Sequence, residues 1–121
     1  MRALIAAARR VKPQIQVKYH SDGNLTALLP ELIDAGVNVI NPVQPECMPP
    51  REIIPAHQRR LSFWGMIGTQ TTMPFGTPAE VRRVVRERKE KLGADLLALS
   101  GQKFGGPRGA GGAEKVAPAQ A

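Results

Sequence analysis

The chain has 121 residues, 42% of them hydrophobic, and carries 17 basic and 10 acidic side chains, for a net charge of +7. This length corresponds to about one domain and is too short for a closed (β/α)8 barrel, which needs about 250 residues. The single cysteine excludes a disulfide framework, and no apolar stretch approaches the ~20 residues of a membrane span. We therefore expect a cytoplasmic globular protein that does not enter a membrane.

The basic side chains are unevenly distributed. Residues 1–20 carry five basic and no acidic side chains, and residues 81–100 carry six basic and three acidic ones. A basic chain suits nucleic acid or a polyanionic small molecule. Aromatic residues make up only 4% of the chain, which leaves few platforms for stacked bases and disfavours nucleic acid. A solvated helix face is the simpler interpretation of the cluster between Arg82 and Lys91.

The first third of the chain predicts a helix, a strand and a second helix. Residues 2–11 are alanine-rich, which favours a helix. Residues 14–19 alternate apolar and polar side chains, which is typical of a strand. Apolar residues then recur at helical spacing over 25–33, and Asp22 or Asn24 can cap that helix.

The middle of the chain predicts two short strands. Residues 37–40 are apolar and β-branched, and an Asn-Pro pair ends them. A proline-rich loop over 41–50 leads into a short helix to about Ala56. Residues 61–65 form the next strand, and we assign its Phe-Trp pair to the core.

The last third of the chain predicts a loop, a long helix, a strand and a tail. The polar loop covers 68–77 and ends in Thr77-Pro78, which begins a helix that continues to Leu92. Residues 94–99 predict a fourth strand. Glycine, proline and alanine dominate 101–121, which we interpret as a flexible tail.

This order of elements predicts an α/β fold with parallel strands, because helices that alternate with strands form right-handed βαβ units. Four such units amount to about half of a (β/α)8 barrel. Functional residues in these folds lie in the loops after the carboxyl ends of the strands. Those loops are His20–Asn24, Asn41–Met48, Met66–Phe75 and the residues from Gly101 onward.

The first three loops carry a pattern that resembles the uroporphyrinogen decarboxylase superfamily. The matching segments are His20–Asn24 (HSDGN), Asn41–Cys47 (NPVQPEC) and Phe63–Pro78 (FWGMIGTQTTMPFGTP). The resemblance covers about residues 1–93. It implies that residues 1–100 form the C-terminal half of a (β/α)8 barrel, a partial TIM barrel.

The resemblance implies a carboxy-lyase of porphyrin biosynthesis. Such enzymes decarboxylate the acetate side chains of a polycarboxylate tetrapyrrole without a metal or organic cofactor. The arginines and the aspartate that hold the substrate in the family lie mostly in the N-terminal half of the barrel, so we assign no catalytic residue here and expect the isolated chain to be inactive. Candidate substrate-binding residues in the matching loops are His20, Asp22, Asn24, Gln44, Gly65, Gln70 and Thr72.

A second branch of the superfamily consists of corrinoid-dependent and coenzyme M methyltransferases that use zinc. The family's zinc-binding His-x-Cys corresponds here to His20 and Asp22. Because a carboxylate oxygen can also bind zinc, His20, Asp22 and Cys47 could supply a site with one nitrogen, one oxygen and one sulfur ligand. The competing interpretation is that His20 and Asp22 only anchor the loop.

The sequence departs from the superfamily after Gly93. Residues 94–109 instead resemble the segment of cysteine desulfurases and related class V aminotransferases that holds the pyridoxal phosphate lysine. Ser100 and Lys103 match that segment, but Gln102 stands in place of its histidine. A Schiff-base lysine needs a pocket that orients the cofactor, which this chain does not provide. We therefore expect no pyridoxal phosphate at Lys103 and interpret this end as chimeric or frame-disrupted.

Three functional hypotheses follow from these patterns. The first is a decarboxylase-like fragment that acts on an anionic tetrapyrrole together with a missing N-terminal half-barrel. The second is a relative of the zinc-dependent methyltransferases. The third is a non-catalytic half-barrel that self-associates through its exposed sheet edges.

Overall fold

The computed structural model describes residues 1–92 and the backbone of two further strands. The helices and strands are α1 (Arg2–Val11), β1 (Lys18–His20), α2 (Leu29–Ala35), β2 (Val39–Val43), α3 (Pro50–His57), β3 (Ser62–Gly65), α4 (Thr72–Phe75), α5 (Pro78–Leu92), β4 (Leu96–Ser100) and β5 (Gly111–Lys115). A single 3-10 turn, Thr26–Leu28, precedes α2. None of the helices in the described ranges is both long and apolar enough to cross a membrane.

The first three strands form a parallel sheet in the order β1-β2-β3. Tyr19 lies opposite Ile40, and Ile40 lies opposite Phe63. The predicted alternation of helices and strands is therefore confirmed for these three units, and the fold is mixed α/β. The strand β2 continues past its predicted end at Ile40 to Val43. The register shifts between these two residues, where Pro42 has no N–H to donate to a ladder.

One face of this sheet packs against the helices. Ile40, at the centre of β2, is completely buried, and its neighbours Tyr19 and Phe63 pack against the same core. Burial of a leucine or isoleucine side chain stabilises the fold by about 1.5–3 kcal/mol. The helical members of the core are Ile5, Leu29, Leu32, Ile53 and Ile54.

The opposite face of the sheet is exposed. Because side chains alternate along a strand, this face carries Lys18 and His20 of β1, Val39 and Asn41 of β2, and Ser62 and Trp64 of β3. The two residues of the central strand are half-buried and the others are exposed. Parallel sheets are normally covered on both faces, so the described residues leave one layer uncovered. We call this surface the open face.

The helix α1 is held against the sheet by Arg9. Its Nη2 donates to the carbonyl oxygen of Gly36 at 2.7 Å and to Asn38 Oδ1 at 2.8 Å. Asn38 Oδ1 also accepts from the backbone N–H of Val17 at 3.1 Å. Gly36 ends α2 at a φ of 99°, a conformation that favours glycine. One guanidinium therefore connects α1, the end of α2 and the entry to β1.

The helix α5 begins with the predicted cap. Thr77 Oγ1 accepts from the Glu80 N–H at 3.3 Å, and the Thr77 N–H donates to Glu80 Oε2 at 2.7 Å, which is a reciprocal capping box. Further along the helix, Arg88 Nε donates to the carbonyl oxygen of Met66 at 3.0 Å. This bond positions α5 against the loop that follows β3.

The C-terminal strands differ from the sequence prediction. Residues 94–99 were expected to extend the parallel sheet, but β4 pairs with β5 antiparallel in a separate two-stranded sheet. The described structure therefore has three parallel strands where four were predicted, and β5 lies inside the predicted tail 101–121. The two strands pair along their whole length, from Leu96↔Lys115 to Ser100↔Gly111. This pairing outweighs the low strand propensity of the glycines in β5. The rest of that range lies outside the described residues.

Candidate functional site

The three loops singled out by the sequence follow β1, β2 and β3, and parallel pairing brings the carboxyl ends of these strands to one edge of the sheet. A chain of hydrogen bonds crosses the strands there. His20 Nδ1 lies 2.6 Å from Asn41 Oδ1, and Asn41 Nδ2 donates to the Trp64 carbonyl oxygen at 3.1 Å. Because the amide nitrogen faces Trp64, the amide oxygen accepts from His20. The Nδ1 atom therefore carries a proton and donates in this bond, and Nε2 is the ring nitrogen that Asn41 does not engage.

Lys18 and Trp64 form a second contact on the open face. The Lys18 Nζ atom lies 4.3 Å from the centroid of the Trp64 ring, which is cation–π geometry. Trp64 is 43% exposed. Its assignment to the core is therefore wrong, whereas Phe63 does pack against the core. Neighbouring residues of a strand point to opposite faces, so only one of the two rings can reach the helical layer.

Glu46 fixes the loop after β3. Its Oε1 accepts from Thr71 Oγ1 at 2.7 Å and from the Gln70 N–H at 3.2 Å. A Cβ at Gly68 would collide with the same carboxylate oxygen and would lie 2.6 Å from Thr71 Oγ1. Partial burial raises the pKa of Glu46, but the hydrogen bonds from Thr71 and Gln70 outweigh it and lower the pKa overall. The loop is therefore held by an ionised carboxylate.

Gln70 and Thr72 occupy different positions in this loop. The backbone N–H of Gln70 is engaged by Glu46, and its side chain is exposed. Thr72 begins the short helix α4 within the predicted loop. Both residues lie beyond the carboxyl end of β3, as predicted, and Gln70 is the more accessible of the two.

Gln44 and Gly65 contribute to the local structure at the ends of β2 and β3. Gln44 is 2% exposed, and its carbonyl oxygen accepts from the N–H groups of Cys47 and Met48 at 3.0 and 2.8 Å. It closes a turn and is not part of the exposed network. A Cβ at Gly65, whose φ is 114°, would lie 3.0 Å from Pro42 Cβ. Glycine is therefore needed there because β2 and β3 approach closely.

Asp22 and Asn24 lie in the loop after β1. Asn24 Oδ1 accepts from the Thr26 N–H at 2.9 Å, which forms an Asx turn. The helix α2 begins only at Leu29, without a side-chain cap bond, so neither residue caps it as predicted. The 3-10 turn Thr26–Leu28 lies between this loop and α2 and accounts for the later start of the helix.

The residues predicted for zinc are not assembled. Within the described part of the chain, no three His, Cys, Asp or Glu side chains are grouped so that they could hold a metal ion. His20, Asp22 and Cys47 are therefore not grouped as a three-ligand set in the described residues. Cys47 is half-buried against the core. Lys103, at which no pyridoxal phosphate is expected, lies outside the described residues.

Sequence reasoning missed three members of this site: Lys18, Asn41 and Glu46. The signal for Lys18 was present in the alternation of β1, which places it on the same face as His20. Asn41 and Glu46 belong to the matching segment Asn41–Cys47, but the sequence assigned neither of them a role. Their partners on β3 and the following loop are 23 to 25 positions away in the chain, so local patterns did not indicate them.

Comparisons with known proteins find no relative. The chain matches no family model, and neither the curated proteins nor the solved structures give a significant match. The resemblance to the uroporphyrinogen decarboxylase superfamily therefore rests on the residues quoted from the three loops.

Proposed function

We propose that this chain is the C-terminal part of a uroporphyrinogen decarboxylase-like barrel and that its open face binds the carboxylates of a tetrapyrrole. The observation that carries the proposal is the convergence of the three family-like loops at one edge of a parallel sheet with an uncovered face. An unfinished barrel has such a face, because the lumen side of its strands lacks the opposing strands. The functional residues of this fold lie at that edge.

The chemistry of the open face suits a cyclic polycarboxylate. Lys18 supplies an ammonium group, and His20 lies on the same face with its Nε2 not engaged by Asn41. A charge-assisted hydrogen bond to a carboxylate is about twice as strong as a neutral one. Trp64 adds an exposed aromatic ring, against which a single pyrrole ring of the macrocycle can pack.

The described residues are proposed to bind and orient the substrate. In the reaction implied by the resemblance, a proton replaces carbon dioxide on the acetate carbon, so the barrel must supply a proton donor and hold the macrocycle in place. Lys18 holds a peripheral carboxylate, His20 lies beside it on the same face, and Glu46 holds the loop that follows β3. The residues that handle the proton are assigned to the remainder of the barrel.

Porphyrin binding tests this proposal through an internal probe. Trp64 is the single tryptophan of the chain, so quenching of tryptophan fluorescence reports directly on the open face. Uroporphyrin is expected to quench it with saturation, whereas a cationic N-methylpyridyl porphyrin of the same ring size is not. Free N-acetyltryptophanamide corrects for absorption by the porphyrin.

Two matched variants locate the binding site. Lys18→Gln is expected to weaken uroporphyrin binding about fivefold, because an exposed ion pair contributes at most about 1 kcal/mol. Lys12→Gln removes an exposed lysine that follows α1, away from the open face, and should leave binding unchanged. The proposal fails if uroporphyrin does not bind, or if the two variants bind it equally well.

A further inference from the structure

We propose that Asp22-Gly23, in the loop after β1, is a site of covalent modification at which the aspartate isomerises to isoaspartate through a succinimide. The modified chain is a substrate for a methyltransferase that recognises isoaspartyl carboxyl groups. The inference rests on the chemistry of this residue pair and on the structure of its loop. It does not depend on a tetrapyrrole or on the remainder of a barrel.

The reaction needs no reagent other than water. The Gly23 nitrogen attacks Cγ of the Asp22 carboxyl, a bond forms between these two atoms, and the N–H proton leaves with a carboxyl oxygen as one water molecule. The product is a five-membered imide. Water then opens this ring: cleavage of the new bond restores aspartate, whereas cleavage at the main-chain carbonyl carbon gives isoaspartate, whose backbone runs through Cβ and Cγ. The mass is unchanged, and nothing is oxidised or reduced.

The residue after the aspartate favours this attack. A side chain on the following residue obstructs the approach of its backbone nitrogen, and glycine has no side chain. Asp22 is the one aspartate or asparagine in the sequence that glycine follows. The other aspartates and asparagines precede leucine, alanine, valine or proline. The sequence therefore directs the reaction to one position.

The structure leaves the attacking nitrogen accessible. Within the described part of the chain, the Gly23 N–H donates no hydrogen bond, and residues 22 and 23 form a bend outside any helix or strand. Asp22 is exposed. A Cβ built at Gly23 meets no atom within 4 Å apart from its chain neighbours. Attack on Cγ therefore breaks no hydrogen bond and displaces no packed side chain.

Nearby aspartate and asparagine residues lack this freedom. The nitrogen that follows Asn24 belongs to Leu25, whose N–H donates to Met48 Sδ at 3.2 Å. The nitrogen that follows Asn38 belongs to Val39, and its N–H donates to a carbonyl oxygen of the neighbouring chain segment at 3.1 Å. Asp34 lies within α2. These positions are internal controls for the reactivity of Asp22.

Isomerisation changes a loop that is held at both ends. The Ser21 N–H donates to the Asn41 carbonyl oxygen at 3.0 Å, and Leu25 is 4% exposed in the core. Isoaspartate lengthens the main chain between these anchors by one carbon–carbon bond, about 1.5 Å. It also moves the carboxylate from the end of a side chain to Cα. Residues 22–24 must absorb the extra length, so the modification reshapes the loop that follows His20.

Incubation of the full chain in neutral buffer at physiological temperature tests the inference. An isoaspartyl methyltransferase with labelled S-adenosylmethionine is expected to transfer a growing number of methyl groups to the chain over time. The tryptic peptide 19–51 should separate into two chromatographic peaks of equal mass. Electron-transfer fragmentation should place isoaspartate at position 22 in the new peak and ordinary aspartate at Asp34 in both.

Matched variants identify the reacting atoms. Asp22→Glu keeps the carboxylate but would require a six-membered ring, and Gly23→Ala places a Cβ beside the attacking nitrogen. Each is expected to lower methyl incorporation at least about tenfold. Asp22→Asn should form isoaspartate faster than the wild type, because its side-chain amide releases ammonia in place of water. Circular dichroism verifies that the variants fold.

A comparison with the unfolded chain tests the role of the structure. The folded chain is expected to isomerise at a rate within about threefold of that in guanidinium chloride, because a segment without backbone hydrogen bonds reacts without prior unfolding. A folded rate more than about tenfold lower would show that the native loop protects this bond and would overturn the inference. Methyl incorporation that Asp22→Glu leaves unchanged would also overturn it. Neither measurement uses a porphyrin, so the proposed function and this inference can fail independently.

Discussion

The side-chain oxygen of Asn41 lies 2.6 Å from Nδ1 of His20. The same amide donates from Nδ2 to the carbonyl oxygen of Trp64. One side chain on the central strand therefore couples the carboxyl ends of both neighbours, including a histidine and a tryptophan of the open face. This connection gives the face a defined geometry.

Replacement of Asn41 tests that connection. Asn41→Ala is expected to lower the free energy of unfolding by about 1 kcal/mol, because it leaves two hydrogen-bonding groups without their partner. It should also weaken uroporphyrin quenching of Trp64. Urea denaturation followed by tryptophan fluorescence measures the change. Ser62→Ala, on the same face, is the control and should stay within about 0.5 kcal/mol of the wild type. Equal stability of the two variants would contradict the coupling.

Arg9 is expected to be a major stabilising residue outside the core. Arg9→Ala removes two charge-assisted bonds, to Gly36 and Asn38, and should lower the free energy of unfolding by about 2–3 kcal/mol. Arg10→Ala, its exposed neighbour in α1, should change it by less than about 0.5 kcal/mol. Chemical denaturation compares the two variants. A small effect of Arg9→Ala would show that α1 is held by its apolar contacts alone.

Two glycines with the same backbone conformation allow the cost of backbone strain to be measured separately from the cost of a steric clash. Gly23 and Gly36 have φ values of 100° and 99°, so alanine at either position costs about 1–2 kcal/mol in conformation. A Cβ at Gly23 meets nothing within 4 Å, whereas at Gly36 it would lie 2.6 Å from Arg9 Nη1. Gly36→Ala should therefore be more destabilising than Gly23→Ala. In the Arg9→Ala background this difference should shrink, and an unchanged difference would exclude the collision.

The sequence predicted well those features that depend on local chemistry. The capping box of Thr77 and Glu80 formed as expected because both partners lie within one helical turn. The three βα units and their parallel pairing followed from hydrophobic periodicity and the order of elements. Connectivity alone then brought the loops after β1, β2 and β3 to one edge.

The features that sequence reasoning missed depend on distant pairing. The strand β4 was expected beside β3, but it pairs with β5, a glycine-containing segment that has no strand signal of its own. The turn at the end of β2 buries Gln44, which the sequence did not indicate. Trp64 was assigned to the core because it is aromatic, although its position next to Phe63 requires one of the two to face outward. Local composition does not determine which strands pair or which side chains a distant segment buries.

The Glu46 contact predicts a pH-dependent loop. Burial acts to raise the pKa of this carboxyl, but the hydrogen bonds with Thr71 and Gln70 set it below the ordinary value of 4.5. A carboxyl whose pKa is lower in the folded state stabilises the fold above its unfolded pKa, and this stabilisation is lost as the pH falls through the lower, folded value. The loop after β3 should therefore loosen as the pH falls below 4.5.

The amide proton of Gln70 reports this titration directly, because it donates to the Glu46 carboxylate at 3.2 Å. In NMR spectra its chemical shift is expected to change with a midpoint below pH 4.5. Thr71→Val removes the hydroxyl that lies 2.7 Å from the carboxylate and should move the midpoint upward, because the charged form loses a donor. Glu46→Gln should abolish the titration of this amide. If Thr71→Val does not change the midpoint, the Thr71 hydroxyl does not lower the pKa of Glu46, and another interaction must do so.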